Sequence, residues 1–253
     1  MSNKIQKRTT AQIVLGKLEE NRSAIMASLP KGFNFDRMCR TAINAISTTP
    51  SIAQCTPASV FLSCIRAFAI GLEPNSALAH GYLVPFKNKG VSEAQFMPSY
   101  RGMIELARRS GQVGAIYARD VREHDQFSIH LGTANSIEHT PKMDGDRGAA
   151  IGFYAVFHLL SGGVDFEYMT VAEIDKVRAT SKAKASGPWV EWPTEMAKKT
   201  VIKRLLKRAP MSVELANAVE LDNQAVTGGE QPTIIDVTDL DLPTEGTSSL
   251  EQG

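Results

Sequence analysis

SGPWVEWPTEMAKKTVIKRLLKR, residues 186–208, carries the pattern from which the rest of the chain can be read. Pro193 suits the first position of a helix, because its missing N–H would be unsatisfied there anyway. At about 100° per residue, Ala197, Val201, Ile202, Leu205 and Leu206 form one apolar arc. Lys199, Lys203 and Lys207 recur at i, i+4 and i+8 on the opposite side, about 6 Å apart along the axis. Arg204 flanks that row, and Lys198 projects into the apolar arc between Val201 and Leu205. The helix predicted over Pro193–Arg208 holds six basic residues against Glu195 alone, so i,i+4 salt bridges do not account for them. A bound anion would. In the preceding stretch, Lys182 and Lys184 stand near Trp189 and Trp192. Cations meeting phosphates, with rings that stack on bases of any sequence, are the usual means of holding a single strand. The competing readings are a solvated helix face and tryptophans that anchor a core or loop.

Outward from this stretch, the chain alternates helical and extended patterns. Apolar residues at helical spacing predict helices over Thr10–Leu29 and Asp36–Ser47, the second stopped by Pro50. Thr56-Pro57 is an N-cap with proline at the first helical position, opening a helix to Ile70 that is apolar nearly all round and ends at Gly71. His80–Phe86 and Ala94–Met97 read as strands about a turn at Lys87–Gly90. Arg101–Ser110 is a helix closed by Gly111, with Arg101, Arg108 and Arg109 on the arc opposite Met103, Leu106 and Ala107. Glu105 can pair with Arg101 or Arg109, which makes a solvated face an equal reading there. Strands follow at Val113–Val121 and Gln126–Leu131, then a hairpin of Ala149–Leu160 and Val164–Met169. Thr170 and Glu173 form a capping box for a helix to Ser181. Lys182–Trp192 reads as a loop, and a shorter helix follows Pro210 to Asp222.

The 253 residues carry a net charge of +1, which conceals a strong asymmetry. Between Lys176 and Arg208 ten Lys/Arg face two acids; from Ala209 onward nine acids stand with no Lys or Arg. That split predicts a polyanion site and an acidic tail. The domain reading is a flexible segment 1–9, a single DNA-binding and oligomerisation domain 10–222, and a disordered acidic tail 223–253. Cys39, Cys55 and Cys64 fit no zinc spacing, and Cys64 sits among apolar residues as a buried thiol. Few cysteines, no secretory segment after Met1 and no apolar run of about 18 residues predict a cytoplasmic protein.

Signals for catalysis are poor. The chain has neither a phosphate-cradling G-x-x-x-x-G-K-[ST] nor a G-x-S-x-G, and its five histidines form no H-E-x-x-H. Asp165 and Glu167 share one face of a strand, which would suit a metal-dependent nuclease, but no lysine follows at the expected spacing. Glu123 and Asp125 are a weaker pair of the same kind.

GLEPNSALAHGYLVPF (71–86), YRGMIELARRSG (100–111) and SGPWVEWPTEMAKKTVIKRLLK (186–207) resemble, in order, the RecT family of phage and prophage annealing proteins, with similarity from about residue 25 to 222. The resemblance implies an α+β fold in which a small antiparallel sheet and hairpins pack with helices around a basic groove. It implies that the protein is not an enzyme but anneals single-stranded DNA without ATP in phage-type homologous recombination and repair, as oligomeric rings or filaments. No cofactor is expected, with Mg²⁺ only a counterion to DNA. The implied partners are single-stranded DNA, the annealed duplex intermediate, further copies of the chain, a phage 5′→3′ exonuclease and, through the C-terminal region, host single-strand binding protein. The cytosol of a bacterial host is the implied location. Groove roles pass to the basic residues within matching motifs: Arg101, Arg108, Arg109, Lys198, Lys199, Lys203, Arg204 and Lys207.

Overall fold

A computed structural model describes residues 8–182, 184–185, 188–232, 234, 240 and 242–243. The chain is α+β and divides into two compact units, Met1–Gly102 with Ala216–Gly253, and Met103–Leu215.

The first unit begins with α1 (Thr10–Glu20), whose N-terminus is closed by a reciprocal Thr9–Gln12 capping box. Asn21 leaves helical geometry, with its side-chain amide donating to the Lys17 carbonyl at 2.8 Å. The single helix predicted over Thr10–Leu29 is therefore two, with α2 at Arg22–Ser28. In α3 (Phe35–Thr48), Met38, Cys39, Ala42, Ala45 and Ile46 are buried at helical spacing. Pro50 stops α3 and also starts the single turn α4 (Pro50–Ala53). Thr56 caps α5 (Pro57–Ala69), whose Phe61, Cys64, Ile65 and Phe68 are buried. Burying each such large side chain contributes about 1.5–3 kcal/mol. Burial also pushes the Cys64 thiol up from its ordinary value, and the Cys39 thiol up to about 12. α5 packs on the antiparallel pair β1 (Gly81–Asn88) and β2 (Val91–Pro98) and on α1. Lys89 and Gly90, both at positive φ, make the two-residue turn that joins the strands.

α6 (Tyr100–Arg109) crosses the border at residue 102, and Gly111 at φ 70° ends that helical segment. The second unit is built on β3 (Val113–Arg122), β4 (Gln126–His130), β5 (Ser136–Thr140), β6 (Ala150–Leu159) and β7 (Val164–Thr170). They are followed by α7 (Val171–Thr180), α8 (Pro188–Glu191) and α9 (Pro193–Leu206). β3, β6 and β7 form one antiparallel sheet with β6 central, and β4–β5 is a separate hairpin. β5 is absent from the sequence reading because Ile137 is its only aliphatic residue, too little for an alternating pattern. Likewise α8 falls in what reads as a loop.

Register sorts the sheet into two faces. On one, Asp165 and Glu167 meet the C-terminal end of α9, which packs along β6, β7 and β3. On the other, Val121, Tyr154, Val156 and Phe166 form a small core under Phe127, Ile129 and Ile137 of the β4–β5 hairpin.

The chain returns to the first unit within α10 (Val213–Thr227), which runs five residues past the Asp222 expected as its end. The segment after it is held in place. Gln231 is buried, and its side-chain amide accepts from the Phe96 N–H at 3.1 Å and donates to the Phe96 and Leu221 carbonyls at 2.6 and 3.1 Å. Arg66 donates to the Gln231 and Pro232 carbonyls, and Gln95 to the Gly229 carbonyl. The stretch from 223 to 232, read as the start of a disordered tail, is thus a helix end and a docked strap. Most of the expected tail beyond it, like residues 1–7, lies outside the described residues.

Candidate nucleic-acid interface

α9 packs against β3, β6 and β7 and also against α7 and α8, so its buried arc is wider than the helical projection suggests. Ala197, Val201, Ile202, Leu205 and Leu206 are buried as expected, but so are Thr200 and Lys199, the latter at 8% exposure. The outward row Lys199–Lys203–Lys207 therefore does not exist as a row. Lys199 belongs to the packed side, Lys203 is half-buried, and only Lys207 is exposed. The stem of a lysine can lie along apolar surface, which makes Lys199 a packing residue as well as a charge. Lys198, assigned to the inner arc, is half-buried and pairs with Glu195 at 3.0 Å.

Arg204 is exposed but committed to carboxylates, with Glu167 at 2.9 Å and Glu173 at 3.5 Å. Arg208 completes the arrangement, reaching Asp165 at 2.8 Å, Glu167 and the Phe166 carbonyl. Burial raises the Asp165 carboxyl, yet the Arg208 hydrogen bond, the Phe166 N–H and the Arg208 charge together leave it below its ordinary value. Asp165 and Glu167 thus act as the anionic half of a clamp tying the end of α9 to β7.

The two tryptophans differ in exposure. Trp189, expected to offer its ring to a base, is 4% exposed in α8 and cannot stack on a ligand. Trp192, the N-cap residue of α9, is 63% exposed. α8 packs on α9 and buries Trp189, whereas Trp192, which leaves helical geometry as the N-cap of α9, stays on the outside. Lys182 and Lys184 are exposed in the same segment, and Lys184 and Lys207 form no ion pair among the described residues.

In α6, Arg101, Arg108 and Arg109 are exposed while Met103, Leu106 and Ala107 are buried. Arg109 pairs with Glu105 at 3.1 Å, one of the two partners the spacing allowed. Arg108 donates to the Gly114 carbonyl at 3.2 Å, leaving its charge without a carboxylate among the described residues. Gly102 is required where it stands: a Cβ there would run into the His80 carbonyl oxygen.

Elsewhere in the second unit, charge is consumed internally. The Asp125 side chain is fully buried and accepts from Arg147 at 2.9 and 2.6 Å and from the Arg122 and Lys142 N–H groups. His139 Nε2 lies 3.1 Å from the same carboxylate, and its Nδ1 is 3.2 Å from the Tyr154 hydroxyl. The Arg147 guanidinium, outweighing burial, holds the Asp125 carboxyl well below the usual carboxylate range. The network has no counterpart in the sequence reading, where Asp125 counts only as half of a weak acidic pair and Arg147 and His139 carry no role. No group of three His, Cys, Asp or Glu among the described residues is placed to hold a metal ion, and no helix among them is long and apolar enough to cross a membrane.

The RecT family model matches residues 34–238, which takes in α3 through α10 and the docked strap. The chain belongs to the RecT family. It is 41% identical to Protein RecT of Escherichia coli strain K12 over 224 residues, covering 87% of this chain and 81% of that protein. It is also 31% identical to the uncharacterized protein YqaK of Bacillus subtilis strain 168 over 164 residues, 64% of this chain and 55% of that one. RecT membership supports single-strand annealing in recombination as the class of activity. All the basic residues singled out above fall within the RecT match. What the sequence could not separate is which of them are already partnered, because ion pairs such as Arg204–Glu167 join residues 37 apart.

Proposed function

We propose that this chain binds single-stranded DNA and anneals complementary strands without ATP, working as an oligomer. The match to the RecT family over residues 34–238 carries the reading. The charge distribution supports it: Lys184, Lys207 and Arg108 are exposed cations with no carboxylate among the described residues. Annealing asks little covalent chemistry of a protein. Phosphates must be neutralised so that two polyanions can approach, and base edges must stay free because pairing itself reads the sequence. In this reading Asp165 and Glu167 are acceptors for Arg204 and Arg208 rather than metal ligands. The protein is not an enzyme, Mg²⁺ serves only as a counterion, and rings or filaments hold the strands. A 5′→3′ exonuclease supplies the strand, and the acidic C-terminal region meets host single-strand binding protein in the bacterial cytosol.

Mixing two complementary oligonucleotides labelled for energy transfer tests this, with protein, without nucleotide, over a salt series. Faster annealing than in protein-free controls is the expected result, with affinity falling as salt rises by about 0.7 in log K per log unit for each phosphate neutralised. Unchanged annealing, or cleavage of the strands with Mg²⁺, would refute it. Electron microscopy with no DNA, one strand and two complementary strands reads the assembly in each state. The acidic tail should compete with phosphate, so truncation after Pro232 tightens binding. Truncation after Asp222 would also remove Gln231 and its hydrogen bonds to Phe96, and is therefore a test of stability.

A further inference from the structure

The β4–β5 hairpin covers only part of its face of the β3–β6–β7 sheet, and an aromatic and cationic patch is left open beyond it. Tyr117 of β3 is 36% exposed. Its ring stacks against His158 of β6, with centroids 6.0 Å apart and planes 28° from parallel. Arg119, two residues along the same face, is exposed and places its guanidinium carbon over the Tyr117 ring, 5.5 Å from its centre. The Arg119 guanidinium donates to the Ala118 carbonyl at 3.3 Å and forms no ion pair among the described residues. Val164 of β7, opposite His158 in the register, is 58% exposed and extends the apolar floor.

We propose that the Tyr117–His158–Arg119 patch is a base-stacking site for single-stranded nucleic acid, a second contact on the face of the sheet opposite α9. The proposal rests on the DNA-binding reading above and adds to it a site that holds a base as well as its phosphate. A ring already held by His158 loses little freedom when a base takes the place over it now held by the Arg119 guanidinium, which frees Arg119 to meet the attached phosphate. Bare cross-strand packing would leave the ring without a ligand.

The full chain, Tyr117→Leu and Tyr117→Phe are titrated with a labelled thymidine oligonucleotide and with an abasic strand of equal length. Tyr117→Leu should bind the thymidine strand about tenfold more weakly and the abasic strand like the unaltered protein, while Tyr117→Phe retains binding. An oligonucleotide carrying 2-aminopurine should lose fluorescence on binding the unaltered protein and not on binding Tyr117→Leu. Arg119→Gln, which leaves the strand's core side untouched, should lower the salt slope by about 0.7 with no change in melting temperature. Normal thymidine binding by Tyr117→Leu, or an equal loss on both strands, overturns the stacking site while single-strand binding stands. Failure of the unaltered protein to bind either strand overturns the DNA reading and the site with it.

Discussion

Arg147 and Lys207 carry the same formal charge in the same unit, and the fold uses them in opposite ways. Arg147 spends its guanidinium on the fully buried Asp125, in a network that closes the ends of β4 and β5 against Arg122, His139 and Tyr154. Lys207 stands exposed just past the end of α9 with no carboxylate among the described residues. A buried ion pair is held by the cost of stripping either charge of its partner, whereas an exposed cation costs little to keep and remains available to a polyanion. The difference teaches that charge along the chain measures supply, while partnership decides what is left for a ligand. Arg204 makes the point within α9 itself, being as exposed as a DNA contact should be yet already facing Glu167 and Glu173.

The largest effect should come from breaking the buried side of this comparison. Arg147→Met takes the guanidinium from Asp125 and leaves the carboxylate on the Arg122 and Lys142 N–H groups and His139, and should cost about 3 kcal/mol in urea denaturation at neutral pH. A cost below about 1 kcal/mol would show that water reaches the carboxylate. Because the folded Asp125 titrates below its unfolded value, its stabilising contribution is complete above the unfolded value near ~3.9 and fades as pH falls toward the folded one. The gap between the unaltered protein and Asp125→Asn should accordingly narrow when denaturation midpoints are compared at pH 7 and pH 3.

Next in size is Gly102→Ala in α6. The added Cβ meets the His80 carbonyl, a backbone atom with little room to yield, so the melt should show a loss of about 1–3 kcal/mol. A neutral result would mean that α6 slides freely over the start of β1.

The exposed side is sharpened by comparing Lys199→Ala with Lys207→Ala. Lys207→Ala should leave stability within about 0.5 kcal/mol and lower the salt slope of DNA binding. Lys199→Ala also removes a buried stem from the packed side of α9, so its melting temperature should drop as well. Equal melts for the two would put Lys199 back on the surface. The smallest effect belongs to Lys198→Ala, which dissolves a half-exposed pair with Glu195 worth about 0.3–0.5 kcal/mol in the melt; a larger loss would mark the Lys198 stem as part of the packed side of α9.

Much of the fold was legible because its signals are local. The caps at Thr56 and Thr170, the stop at Gly71, the turn at Lys89-Gly90 and the turn at Gly162 between apolar β6 and alternating β7 each rest on residues within a few positions of one another. β5 and α8 escaped because one is too polar and the other too short to show a period. The candidate site was legible only as a supply of cations and rings. Helical projection places a side chain on a face but does not say how many neighbours close on that face, so Lys199 and Trp189 were turned outward when the packing of α8, α9 and the sheet turns them inward. The open patch at Tyr117, His158 and Arg119 gave no signal, since its members are 41 residues apart in part and meet only through the β3–β6 pairing.

By itself, then, the sequence determined the α+β class, the order of most elements, the charge asymmetry and, through three ordered motifs, the RecT family. Those are properties of neighbouring residues or of composition. The tertiary structure alone decided which charges remain unspent, which tryptophan reaches solvent and where the C-terminal segment is tied down. Each depends on partners distant along the chain, because burial and ion pairing are set by what folds against a side chain and not by what precedes it.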